Sequence, residues 1–220
     1  MATTCWATEK SQKAANSASM RLKKIVEIKS GPKSGKITAL FDGLAPDGKP
    51  IMTETRTYTF YSGPDLRTVD FDIRIDPIEK LTFNDTKEGT FGIRLATSMS
   101  EDRTGRMQNA EGKQGEKNVW GKRSSWVDYA GQVNGKLVGV AIMDHPSNPR
   151  HPTYWHSRAY GLFAANPFGI RDFTGDKTQN GSMTVEPGHP VRFRYRVVIH
   201  EGNAEQAGIA ALWQKYSETK

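Results

Sequence analysis

The chain has a single cysteine among 220 residues, Cys5, so no disulfide can form within it and a cross-linked small scaffold is excluded. No apolar run approaches the ~20 residues that a helix needs to cross a bilayer, so neither a membrane helix nor a membrane partner is expected. The opening stretch, Met1 to Ser19, is rich in Ala, Ser and Thr and lacks the apolar core of a secretory signal. It reads as a disordered leader over residues 1–19, ahead of one domain over residues 20–220. Location stays open: secreted or periplasmic if a signal has been removed, cytoplasmic otherwise. The net charge is +7, yet there is no long basic block and no nucleic-acid motif, which argues against a nucleic-acid partner. Positive charge spread over strands and loops suits either a solvated surface or an anionic glycan. No internal repeat is present, and the sequence does not settle an oligomeric state.

What the chain does have is alternation. Val69, Phe71, Ile73 and Ile75 alternate with Asp70, Asp72, Arg74 and Asp76, the pattern of a half-buried antiparallel strand. Strands are likewise expected at Arg21 to Ile28 (Leu22, Val26 and Ile28 on one face), Lys36 to Leu44, Ile51 to Tyr61 and Thr90 to Thr97. The segment from Trp120 to Ala130 sets Trp126 and Asp128 against Val127 and Tyr129, and Asn134-Gly135 pairs it as a hairpin with Leu137 to Met143. On the last strand, Val191 to His200, three arginines (Arg192, Arg194 and Arg196) share a face and call for water or anions. Ser100 to Asn118 is polar and reads as a long lid or binding loop. Only the tail has helical spacing: Asn203 caps with Gln206, and Ile209, Leu212, Trp213 and Tyr216 fall on one face. The sum is an all-β fold, an antiparallel β-sandwich of large curved sheets with one C-terminal helix.

The chemistry concentrates between residues 141 and 169. Asp144 to Pro152 holds His145, His151 and three prolines, so it reads as a stiff loop. Thr153 to Phe163 reads as a strand with Tyr154, His156, Arg158 and Tyr160 on one face, a poor core and a good floor for a polar ligand. If the substrate is a uronic acid polymer, elimination needs a base (His145 or His156), an acid (Tyr154 or Tyr160) and a cation for the carboxylate (Arg158). If the reaction is hydrolysis, two carboxylates are needed, and Asp128 and Asp144 are the candidates. Arg150, His151, Asp128 and Tyr160 are the expected substrate contacts. His145, His151 and His156 also form a candidate ligand set for Zn, Cu or Fe, with Asp144 as ligand or orienter. No cofactor is implied with certainty.

Several long words carry a resemblance: WGKRSSWVDYAG at 120–131, GVAIMDHPSNPRHPTYWH at 139–156, RAYGLFAANPFG at 158–169, DTKEGTFGIR at 85–94 and RYRVVIH at 194–200. Together they resemble the bacterial family labelled "methane oxygenase PmoA", over residues 70 to 200. That label implies a Cu- or Fe-dependent oxygenase. The family's own resemblance to β-sandwich proteins of carbohydrate metabolism, and its occurrence in polysaccharide-degrading bacteria, imply instead an enzyme cleaving a poly- or oligosaccharide, or a glycan-binding module. Members of that family also have an N-terminal half with a His-His-Arg-Gly motif. This chain has no His-His pair, so the resemblance implies the C-terminal portion of that domain.

Overall fold

A computed structural model describes residues 18–63, 66–88 and 91–220. The leader expected over residues 1–19, with Cys5, lies up to residue 17 outside the described residues, and Ser19 already belongs to a strand. The strands in the first half are β1 (Ser19–Lys29), β2 (Ser34–Leu44), β3 (Pro50–Tyr61), β4 (Arg67–Pro77), β5 (Leu81–Phe83), β6 (Phe91–Arg94) and β7 (Arg106–Asn109). Those in the second half are β8 (Trp126–Val133), β9 (Lys136–Asp144), β10 (Tyr154–Trp155), β11 (Leu162–Asn166), β12 (Met183–Val185) and β13 (Val191–Glu201). One antiparallel sheet runs β1-β2-β3-β4-β13-β9-β8-β7, and two small sheets, β10-β11-β6 and β12-β5, form the second layer. The helices are α1 (Glu116–Val119), α2 (Ile170–Thr174) and α3 (Ile209–Ser217). None of them is long and apolar enough to cross a membrane.

The two faces of β8, β9 and β13 bury different things. Val127, Tyr129, Val140, Ile142, Tyr195 and Val197 point inward and meet Phe91, Trp155 and Phe163 of the small sheets. Phe91 stacks on Tyr195 with ring centroids 4.5 Å apart. Trp126, Ala141, Met143 and Val198 point outward, where Ile209 and Tyr216 of α3 cover them. Each large apolar side chain so buried contributes about 1.5–3 kcal/mol. The β8–β9 hairpin turns at Asn134 and Gly135, both with positive φ (51° and 77°), as the Asn-Gly pair requires. Asn203 and Gln206 exchange reciprocal 2.9 Å bonds, but these close the turn over residues 204–208; the expected cap is displaced, because α3 begins only at Ile209 after Gly208 (φ 64°), with no side-chain cap.

Three further expectations are corrected. Ser100 to Asn118 is not an open lid, because it contains β7 and α1. Met107 within it and Val119 just after it, the last residue of α1, are fully buried, and Glu101 accepts hydrogen bonds from the Met107 and Glu116 amides. Thr153 to Phe163 is not one strand. The chain leaves β10 after Trp155, turns at Gly161 (φ 86°) and returns as β11, pairing Tyr154 with Asn166 and Trp155 with Ala165. The arginines of β13 do not await anions either: Arg196 makes a two-pronged pair with Asp70 at 2.6 and 2.8 Å, and Arg192 pairs with Asp72. Arg194 is instead turned to the Thr219 carbonyl and hydroxyl at 3.1 and 2.9 Å.

Candidate functional site

The loop after β9 is built on Asp144. Its carboxylate is fully buried and accepts from Asn148 Nδ2 (2.7 Å), His151 Nδ1–H (2.8 Å) and the Thr153 amide (2.9 Å). Asn148 in turn bonds the Arg194 backbone on β13 through both ends of its amide. Arg150 donates to the carbonyls of Pro167 (2.9 Å), Gly181 and Ser182 (2.9 Å), tying the loop to the segment beyond β11. His145 accepts the Ser147 amide at Nδ1 (3.1 Å) and faces the Thr219 carbonyl with Nε2 (3.1 Å). Burial, and then the Arg194 cation, push its imidazole below the ordinary histidine range. His151 stacks on Trp213 of α3, with centroids 6.3 Å apart and planes 6° apart.

These contacts correct the roles expected of the loop. Asp144 has no oxygen left for a substrate, and His145, His151 and Arg150 are anchors of the chain. Asp128 is also taken: it is buried against His200, with Oδ1 2.7 Å from Nε2. The candidate metal set His145, His151 and His156 does not fit an ion. Among the described residues no three His, Cys, Asp or Glu side chains converge, and His145 Nε2 lies 3.0 Å from the Arg194 guanidinium, which repels a cation.

His156 stands apart from that loop and is the centre of a different cluster. Its backbone amide donates to the Ala164 carbonyl on β11, so the ring is held at the start of the 156–161 turn. Trp120 Nε1–H donates to His156 Nδ1 at 3.2 Å. An indole can only donate, so Nδ1 must carry the lone pair and Nε2 the proton. Burial pushes the ring below the ordinary histidine range; Arg158 and Lys87 add to that, while Glu88 and Glu116 oppose it. His156 is thus a neutral imidazole presenting a donor at Nε2, and Nε2 has no partner among the described residues. The base role expected of it is replaced by a donor role, because a lone pair on Nε2 would set N–H against N–H at Trp120.

Around His156 stand Trp120 and Phe173, and Phe173 of α2 also stacks on Tyr154 (5.5 Å). Tyr154 therefore belongs to the wall and meets His156 through Phe173. Arg158 Nε lies 3.0 Å from Glu116 Oε1, and Glu116 Oε2 accepts the Ala159 amide. Tyr160 is exposed, with the Arg94 and Arg158 guanidinium carbons 5.1 and 5.6 Å from its ring centre. Glu88 is exposed and sits 3.8 Å from Lys87. The structure thus keeps Tyr154, His156, Arg158 and Tyr160 in one neighbourhood, though not on one strand face, and removes Asp144, His145, His151, Arg150 and Asp128 from it. Trp120, Phe173 and Glu116 are the members that sequence reasoning did not place there, with the exposed Glu88 acting on His156 through its charge; the signals available were the word at 120–131 that opens on Trp120 and the polar, glycine-containing stretch that carries Glu116.

The fold is that of an all-β sandwich protein, with a cluster of histidine, aromatic and arginine side chains on its small-sheet side. The chain belongs to a family of unknown function (DUF6807), whose pattern matches residues 2–214. No curated protein matches it. Among solved structures it is similar to a galactose mutarotase-related enzyme from Lactobacillus acidophilus, at 12% identity over 83% of this chain and 71% of that one, with a TM-score of 0.34.

Proposed function

We propose that the protein is a carbohydrate-active enzyme that cleaves a glycosidic bond of a poly- or oligosaccharide at the His156 cluster. The observation that supports this reading most is the fixed Nε2–H of a neutral, buried His156 beside aromatic walls and the Arg158 and Glu116 pair. A preset donor of this kind stabilises an oxygen on which negative charge develops. Of the two carboxylates whose charge acts on His156, Glu116 is engaged by Arg158 and the Ala159 amide, so the proton acceptor in this reading is Glu88. Tyr160 and Trp120 offer faces for a sugar ring, and Arg158 a cation for a uronate carboxylate. Among the described residues no group of three His, Cys, Asp or Glu side chains offers a donor set for the Cu or Fe of the oxygenase alternative.

A second reading, a glycan-binding module without turnover, is favoured by one fact: Asp128, Asp144 and Glu116 are all committed to protein partners, leaving Glu88 as the acid of the cluster with oxygens to offer. The experiment is a panel of neutral and acidic polysaccharides, scored for new reducing ends and for unsaturated uronate absorbance. Products from the wild type that vanish in His156→Gln and Glu88→Gln support the enzyme. Saturable binding without products, weakened by Tyr160→Ala, supports the module. Neither products nor binding overturns both.

A further inference from the structure

The small sheets cover only part of the large sheet. The strand pairings place Leu22, Ile25 and Ile28 of β1 opposite Phe41, Ala39 and Ile37 of β2, in line with Tyr58 and Phe60 of β3. The same rows continue to Val69 and Phe71 of β4 and to Tyr195 and Val197 of β13, so this is the inward face that elsewhere holds the core. On β1 to β3 Ala39, Met52 and Glu54 of this face are buried, but among the described residues Leu22 and Ile25 are each left 53% exposed, Ile28 67% and Phe60 43%. The opposite face of these strands is the polar one. Thr38 and Thr57 bond each other there, Arg21 and Lys23 pair with Asp42, and Lys29 and Lys36 pair with Glu27. The alternation is that of a strand triplet with its apolar side meant for burial, and that side faces out.

We propose that this face is a homodimer interface in which the inward faces of β1, β2 and β3 from two copies pack against each other. Two features argue for a second copy. The first is charge: Glu54 and Arg56, the ion pair of the face, are already matched, with Arg56 Nε 2.6 Å from Glu54 Oε1, Nη1 3.2 Å from the Tyr58 hydroxyl, and the guanidinium 4.6 Å over Phe41. A cover needs to bring no counter-charge, so an apolar surface suits it and a charged peptide or a glycan does not. The second is area. Three strands of 11, 11 and 12 residues, spaced about 4.8 Å apart, present at most roughly 500 Å² in projection, so two such faces together approach the lower bound of about 1,000 Å² for a specific interface. An identical face supplies that surface with matching length, as a two-fold contact requires.

Sedimentation velocity over a concentration series tests the proposal with the wild-type chain, Leu22→Glu, Ile25→Glu and the milder Phe60→Ser, with Thr57→Lys on the outward face as control. Circular dichroism verifies that each variant is folded. The expected result is a wild-type and Thr57→Lys dimer, with association weakened at least about tenfold in each inward-face variant, or ~1.4 kcal/mol. A wild type that stays monomeric overturns the proposal, whether alone or holding a different protein on this face. So does a dimer that the folded inward-face variants leave intact.

Discussion

His200 Nε2 lies 2.7 Å from Asp128 Oδ1, and the pair closes across β9 because Gly139, on the strand between them, has no side chain to block the ring. The other ring nitrogen, Nδ1, faces the Glu201 carbonyl at 3.0 Å. Both nitrogens thus meet acceptors, so the ring is held as an imidazolium inside the protein. Burial opposes that charge, but the Asp128 carboxylate and the Glu201 carbonyl outweigh it, and the imidazole is raised above the ordinary histidine range.

A raised folded value means that the folded state holds the His200 proton more tightly than the unfolded chain does. Its stabilisation is complete below the ordinary histidine value of about 6.5 and is lost as pH rises through the folded value. Urea denaturation of wild type and His200→Gln across that range should show a gap that narrows as pH rises. At low pH the gap should be on the order of 3–5 kcal/mol, since Asp128 is left buried without its cation. A gap that widens with pH would refute the imidazolium.

Gly139→Ala tests the same contact from the other side. A Cβ there collides with the His200 ring, so the substitution should cost about 1–3 kcal/mol by overpacking, though alanine favours a strand more than glycine does. The double change with His200→Ala should recover part of that loss. Thermal melts of the four proteins measure the coupling.

At the site, nitrogen-detected NMR should find His156 as the Nε2–H tautomer near neutral pH, titrating below the ordinary range because burial disfavours its cation. Trp120→Phe removes the indole donor while keeping an aromatic wall. It should mix the two tautomers and, if cleavage is found, lower kcat more than it changes KM. Wild-type titration above about 6.5 would contradict the neutral ring.

Asp144→Ala should act on stability, with a loss on the order of 3 kcal/mol from leaving the Thr153 amide and the Asn148 side chain without their acceptor. Hydrogen exchange should quicken across residues 145–153 and stay unchanged at the β8–β9 turn. Loss of polysaccharide cleavage in a variant of unchanged stability would instead place Asp144 in the chemistry.

Much of the fold was legible from the residues alone. The opposed faces of Trp126 and Val127, the Asn134-Gly135 turn and the apolar stripe of the terminal helix depend on local alternation and backbone preference, which the sequence states directly. The site was legible only in part, because hydrogen-bond partners are set by approach in space. Nothing local reveals that Asp144 is spent on Thr153 and His151, that Arg150 clamps carbonyls near residue 181, or that Trp120, 36 residues before His156, fixes its proton. Gly161 marks the same limit: its φ of 86° divides an alternating run into β10 and β11, which only pairing with β6 and the burial of Trp155 and Phe163 could decide. The sequence by itself determined the all-β class, the terminal helix and where the polar chemistry lies in the chain. Tertiary structure decided which histidine presents a donor, which carboxylates are spent on the chain, and which apolar face was left uncovered, because each depends on contacts between strands far apart in sequence.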